Sequence, residues 1–146
     1  MLSRKAAKLY LEQAKYVRRE MLRAREKVRE IDMRITSLSS MRYDKDPIQA
    51  SPVNQMEEGV MQLIEAKDRM HALERKYWQL YVDISAQLDL VDDPLQREVL
   101  KQYYLDGRKI RSICYNLNYE QAWVYQLFNK GLDDFSRKIE ECKKIE

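Results

Sequence analysis

The chain of 146 residues contains 3 Gly, 3 Pro, 2 Cys and 1 His, and 35% of its residues are charged, with a net charge of +3. Because a sheet needs a tight turn every few residues, so few turn-forming residues predict an all-α protein. A single His and two distant Cys exclude a four-ligand zinc site within one chain, and three isolated Gly exclude a Gly-rich phosphate loop, so we expect no enzyme, no metal and no cofactor.

The first segment carries an apolar seam with heptad spacing. Because alternating steps of four and three residues are the a/d pattern of a coiled coil, the spacing predicts a helix over about 3–38 that needs a partner helix. The seam consists of Tyr10, Ala14, Val17, Met21, Ala24, Val28, Ile31, Ile35 and Leu38.

A second seam follows a segment that is rich in turn formers. Ser, Asp and two prolines, Pro47 and Pro52, predict a loop over about 39–54. Heptad spacing then predicts a helix over about 55–91, so that residues 1–92 form a long antiparallel, coiled-coil-like helical hairpin. The second seam consists of Leu63, Ala66, Met70, Leu73, Tyr77, Leu80, Ile84, Gln87 and Val91.

Charge differs between the two halves of this hairpin. Residues 1–38 hold 11 Lys and Arg against 5 Asp and Glu, whereas residues 39–92 hold 6 against 10. We expect the flanks of the two helices to pair, with a nucleic-acid surface on the basic first helix as the alternative.

Some apolar residues lie off both seams. An isolated hairpin would leave them on its outer surface, where they favour self-association, so we expect a homodimer formed through the hairpin. These residues are Leu9, Leu11, Tyr16, Leu22, Tyr81 and Leu88.

The C-terminal segment 93–146 has the pattern of three shorter helices. Asp93-Pro94 predicts a helix start, and we expect helices over 94–104, 109–117 and 120–135, with the charged tail to Glu146 continuing the last one. Gly107 ends the first of these helices, and Asn118-Tyr119 forms a tight turn between the second and third.

The spacing across that turn fits a helix-turn-helix. The motif needs a small residue in its first helix, a residue that tolerates left-handed backbone four positions later, and a β-branched residue six further on. Cys114, Asn118 and Val124 occupy these positions, and both Cys and Asn suit them physically. Ile110, Ile113, Leu117 and Leu127 complete the expected core of this trihelical domain.

The same segment resembles region 4 of bacterial sigma factors. With the hairpin in front, the whole chain is similar to small phage-encoded proteins with a sigma region-4-like helix-turn-helix, related to phage late transcription regulators of the autolysin-regulatory-protein type. The resemblance implies a regulator that binds promoter or operator DNA, with bacterial RNA polymerase as a further partner. It lies in Asp93-Pro94-Leu95-Gln96-Arg97-Glu98-Val99-Leu100-Lys101-Gln102-Tyr103-Tyr104-Leu105-Asp106-Gly107, Ile113-Cys114, Leu117-Asn118-Tyr119, Val124-Tyr125 and Gly131-Leu132.

The docking geometry of this family implies which residues contact double-stranded DNA. The third helix enters the major groove, where glutamine and asparagine pair with adenine and alanine contacts a thymine methyl group. Cations at the edges of the motif contact phosphates, which set register and affinity. The implied base contacts are Gln121, Ala122, Tyr125, Gln126 and Asn129, and the implied phosphate contacts are Arg108, Lys109, Arg111 and Lys130.

Two observations keep other functions open. Glu120 begins the third helix, and residues 93–146 hold 10 Lys and Arg against 9 Asp and Glu, which is weakly basic for a DNA-binding domain. One alternative is an adaptor that binds RNA polymerase or another phage protein through exposed Tyr and Trp of residues 103–125. Another is a packaging or assembly component, since terminase small subunits also join helix-turn-helix units to oligomerising helices.

Two features absent from the sequence indicate the cellular compartment of the protein. It has no apolar run long enough to span a membrane, and its charged N-terminal segment does not have the pattern of a signal peptide. We expect a cytoplasmic protein of a bacterial host cell, with both thiols reduced.

Overall fold

The computed structural model describes the backbone of residues 3–41 and 51–145, and the side chains of residues 3–39 and 54–140. Five helices account for almost all of this part of the chain, which contains no strand, so the predicted all-α fold is confirmed. The helices are α1 (Arg4–Met41), α2 (Ser51–Leu88), α3 (Pro94–Tyr104), α4 (Ile110–Leu117) and α5 (Gln121–Ile145).

The helix boundaries differ from the predicted ones mainly around the hairpin loop. Pro52 is the second residue of α2, so placing it in the loop was wrong; a proline is tolerated in the first turn, where its missing N–H has no partner to lose. The α2 helix ends at Leu88 instead of 91, and Asp89 and Leu90 form a turn. Pro47 and the rest of 42–50 lie outside the described residues.

Both predicted seams lie on inward-facing sides of α1 and α2. Every seam residue from Tyr10 to Leu38, and from Leu63 to Val91, is buried or half-buried. This confirms the two long helices of a hairpin that the heptad spacing predicts. No helix in the described part of the chain is long and apolar enough to cross a membrane.

Packing divides the chain differently from the division into 1–92 and 93–146 that the sequence suggests. One compact unit combines residues 1–18 with 77–146, and the other consists of residues 19–76. The first unit therefore contains the start of α1, the end of α2 and all of α3, α4 and α5.

The first unit has one continuous apolar core to which all five helices contribute. Ala7, Leu11 and Ala14 enter it from α1, and Ile84 and Leu88 enter it from α2. Leu11 and Leu88 were expected on the outer surface of the hairpin, and this was wrong, because they pack into the core that α3, α4 and α5 share. The other residues of this core are Val91, Val99, Leu100, Tyr104, Leu105, Ile113, Val124, Leu127, Phe128, Leu132, Phe135 and Ile139.

The other residues that lie off the seams are more accessible. Leu9, Tyr16 and Leu22 are exposed, whereas Tyr81 is half-buried and packs against the core of the first unit. Three of the six residues behind the predicted homodimer are therefore exposed, and Met61, Ile64, Trp78 and Val82 of α2 are exposed as well, so the homodimer stays a prediction.

Charge pairing between the hairpin helices is sparse. Within the described residues, one ion pair joins α1 to α2, in which Arg25 Nε lies 3.2 Å from Glu74 Oε1. A polar contact also links these helices in the first unit, where Tyr10 donates to Gln87 Oε1 at 2.5 Å. Most cations of α1 therefore face solvent instead of an acidic neighbour on α2.

Candidate nucleic-acid interface

The junction before α3 is fixed by polar contacts. Asp93 accepts a hydrogen bond from the Leu95 N–H at 2.9 Å, which caps α3, and Pro94 occupies its first position. Arg97 donates to the Val91 carbonyl at 2.9 and 3.2 Å, and Lys138 of α5 pairs with Asp92 at 3.0 Å. These contacts set the direction in which α3 leaves the end of α2.

The turn between α3 and α4 depends on a glycine. Gly107 has a φ of 68°, a left-handed conformation that costs glycine little. The N–H groups of Leu105 and Asp106 both donate to the Lys101 carbonyl, which closes the end of α3. Tyr77 of α2 donates its hydroxyl to the Leu105 carbonyl at 2.6 Å, and burial raises the pKa of this phenol. The predicted end of α3 is thereby confirmed.

The turn between α4 and α5 has the conformation that a helix-turn-helix requires. Asn118 adopts φ 57° and ψ 41°, and within the described residues it is the only residue other than glycine with a positive φ. Its N–H and that of Tyr119 both donate to the Cys114 carbonyl, the second at 3.1 Å. This double hydrogen bond ends α4 and turns the chain into α5.

The predicted core residues of the motif are buried or half-buried, except for Asn118. Ile113 and Val124 are fully buried and Leu127 is 2% exposed, while Cys114 and Leu117 are half-buried. The side chain of Asn118 is exposed, so this residue contributes its backbone conformation to the motif and no packing.

The core also includes residues later in α5 that were not predicted. Phe128, Leu132 and Phe135 are buried, and the Phe128 ring stacks on that of Tyr104 with centroids 5.7 Å apart. These residues follow Val124 at steps of four, four and three residues. This helical periodicity in the sequence indicates that they lie on the same buried face as Val124.

The α3 and α5 helices approach each other closely at Gly131. A Cβ atom added there would lie 2.9 Å from Leu100 Cδ1 and 3.3 Å from Gln96 Cβ. The absence of a side chain therefore allows this crossing, which holds the accessible part of α5 in a fixed position relative to α3.

Four of the five predicted base-contact residues are accessible. Gln121, Ala122, Tyr125 and Gln126 are exposed on the first two turns of α5, whereas Asn129 is half-buried. The start of α5 thus presents two amide side chains, a methyl group and a phenol on its outer side.

The predicted phosphate-contact residues are all exposed. Arg108, Lys109 and Arg111 lie at the start of α4, and Lys130 lies on α5. Within the described residues none of these cations forms an ion pair, so their charges are available to an anion. Lys130 Nζ lies 5.9 Å from the centroid of the Trp123 ring, at the outer limit of a cation–π contact.

An ion pair that the sequence did not reveal neutralises an acid further along α5. Arg4 of α1 donates to both carboxylate oxygens of Asp133, at 2.8 and 2.6 Å. The hydrogen bond from Arg4 holds the pKa of Asp133 below its usual value. Asp133 lies one turn beyond Asn129, so the pairing reduces the repulsion that this carboxylate would exert on a phosphate near α5.

Aromatic side chains are also exposed around the motif. The exposed fraction is 84% for Tyr115 and 41% for Trp123, and Tyr119 and Tyr125 are similarly accessible. In contrast, Tyr104 is buried and Tyr103 is half-buried under Lys15, so neither offers the docking surface considered for an adaptor.

Comparisons with protein-family models, with curated proteins and with solved structures find no match to this chain.

Proposed function

We propose that this chain is a DNA-binding transcription regulator of a phage or prophage, with a sigma region-4-like helix-turn-helix. The observation that carries the proposal is the left-handed turn at Asn118, which joins two helices with buried inner faces and leaves the start of α5 accessible. A protein with this function works in the cytoplasm of the bacterial host.

In this proposal the first two turns of α5 lie in the major groove of double-stranded DNA. Gln121 and Gln126 each present an amide whose NH₂ group donates to N7 of adenine and whose carbonyl accepts from the N6 amino group, and Ala122 contacts a thymine methyl group. Tyr125 adds a hydroxyl and an apolar ring. Half-buried Asn129 reaches a base only at the edge of the contact.

Phosphate contacts come from the cations around the motif. Arg108, Lys109 and Arg111 are exposed where α4 begins, and Lys130 follows on α5. They neutralise backbone charge and set the register of α5 along the groove. Because these contacts release counterions from the phosphates, we expect the affinity to decrease as the salt concentration rises, and repulsion between Glu120 and phosphate lowers the affinity further.

An adaptor that binds RNA polymerase is a second candidate function. The exposure of Tyr115 and Trp123 favours it, since large aromatic side chains are enriched in the centres of protein interfaces. Polymerase binding is compatible with DNA binding in one protein, whereas an adaptor alone would have no affinity for DNA.

Selection from a pool of random duplexes tests the proposal. The full-length protein is incubated with the pool, with and without bacterial RNA polymerase, and the retained fragments are sequenced. We expect a short enriched motif in the absence of polymerase. Enrichment that requires polymerase indicates the adaptor, and the absence of any enriched motif overturns the proposal.

A further inference from the structure

The second unit contains a basic hollow between α1 and α2 that the DNA-binding proposal does not use. Its volume is about 190 Å³, and its floor includes Ala24 and Ala66. Each is the smallest residue of its stretch of seam. The lining residues are Glu20, Arg23, Ala24, Lys27, Ala66 and Arg69.

The charges around this hollow are mostly positive. Arg23 and Lys27 extend from α1 and Arg69 extends from α2, against the single carboxylate of Glu20. All three cations are exposed, and within the described residues none of them forms an ion pair. The ion pair that joins the two helices among the described residues of this unit uses Arg25 and Glu74, which do not line the hollow.

We propose that this hollow binds a phosphate group. Guanidinium groups form paired, charge-assisted hydrogen bonds with phosphate oxygens, and lysine adds a point charge, so Arg23, Arg69 and Lys27 provide a matched donor set. At about 190 Å³ the hollow has room for a phosphate group. The group belongs either to a nucleic-acid backbone or to a small phosphate compound.

Nuclear magnetic resonance on the full-length protein tests this site with two probes, inorganic pyrophosphate and a 20-base-pair duplex. We expect at least one probe to shift the backbone amides of Ala24 and Ala66 in a saturable way. Saturation by pyrophosphate alone identifies a small phosphate compound as the ligand, and saturation by the duplex identifies the nucleic-acid backbone. If neither probe shifts these amides, the proposal is wrong.

Two triple variants distinguish binding in the hollow from attraction by the overall positive charge of the surface. Arg23→Gln with Lys27→Gln and Arg69→Gln removes the donor set, and we expect the affinity for the probe to fall at least tenfold, because it loses every charge-assisted hydrogen bond to the phosphate. The matched control removes the same charge from exposed residues outside the hollow, by Arg19→Gln with Arg29→Gln and Arg75→Gln.

We expect the control to reduce the affinity much less than the variant of the hollow. Equal losses would overturn the proposal, since they would show binding by diffuse charge. All six substituted side chains are exposed, and unchanged melting temperatures will verify that both variants fold. The site does not depend on the DNA-binding proposal, whose test rests on α5, so either proposal can fail while the other stands.

Discussion

The backbone conformation of a single residue, Asn118, sets the geometry of the turn in the helix-turn-helix. Its left-handed backbone ends α4 and directs the chain into α5, and its exposed side chain adds no packing. Residues with a Cβ atom pay about 1–2 kcal/mol in this conformation, and asparagine tolerates it better than most. The role of Asn118 is therefore to adopt the left-handed backbone conformation of the turn.

Substitutions at Asn118 should separate backbone conformation from side-chain contacts. We expect Asn118→Ala to lower the free energy of unfolding by about 1 kcal/mol, because alanine disfavours positive φ, and Asn118→Gly to leave it unchanged or raise it. Urea unfolding monitored by circular dichroism measures both. Asn116→Ala is the control, since Asn116 is exposed within α4 and alanine favours a helix. Equal stability of the Ala and Gly variants at position 118 would contradict this role.

At the scale of elements, α1 has two apolar faces at its start. One face carries the seam toward α2, and the other places Ala7 and Leu11 in the core shared with α3, α4 and α5. The ion pair between Arg4 and Asp133 adds a surface contact between α1 and α5, although solvent screens an exposed pair of this kind, so it contributes little to stability. Apolar burial therefore holds the start of α1 against the helix-turn-helix.

Two leucines of α1 provide a matched test of this second face. Leu11 is fully buried and Leu9 is 59% exposed. We expect Leu11→Ala to lower the free energy of unfolding by about 2–5 kcal/mol, because it leaves a cavity in a packed core. The change for Leu9→Ala should stay within about 0.5 kcal/mol. Thermal and urea unfolding measure both, and similar losses in the two variants would contradict the packing described for α1.

The sequence revealed local features of these elements better than distant ones. Heptad steps predicted both seams, and the spacing of Cys114, Asn118 and Val124 predicted the turn, because such patterns can be recognised within a few helical turns of sequence. Leu11 was assigned to the surface, since a heptad pattern describes only one partner for each helix. The Arg4–Asp133 pair spans 129 positions and leaves no local pattern at all.

At the scale of the molecule, the core of the first unit does not end where the hairpin ends. Among the described residues of this core, six, from Ala7 to Val91, come from α1, α2 and the link that follows α2. A fragment of residues 93–146 loses all six and exposes the surfaces they cover. So short a chain is marginally stable even with a complete core.

We therefore expect the fragment 93–146 not to fold cooperatively by itself. Its thermal melt should be broad, and its amide resonances poorly dispersed, whereas the full-length chain should melt in a sharp transition. Adding the peptides 1–18 and 77–92 should restore part of the structure. A sharp melt of the fragment alone would show that the contribution of α1 and α2 to the core is dispensable.

The most direct measurement of the central claim is the affinity of the full-length protein for the enriched duplex and for a scrambled duplex of the same composition. We predict that Gln121→Ala with Gln126→Ala lowers the affinity for the enriched duplex at least tenfold, since each paired contact to a base contributes about 1–3 kcal/mol, and leaves binding to the scrambled duplex unchanged. The control, Gln13→Ala with Gln62→Ala, alters exposed glutamines of α1 and α2 and should change neither affinity. Equal affinity of the unmodified protein for both duplexes, or an equal loss in the control, would contradict sequence recognition by α5.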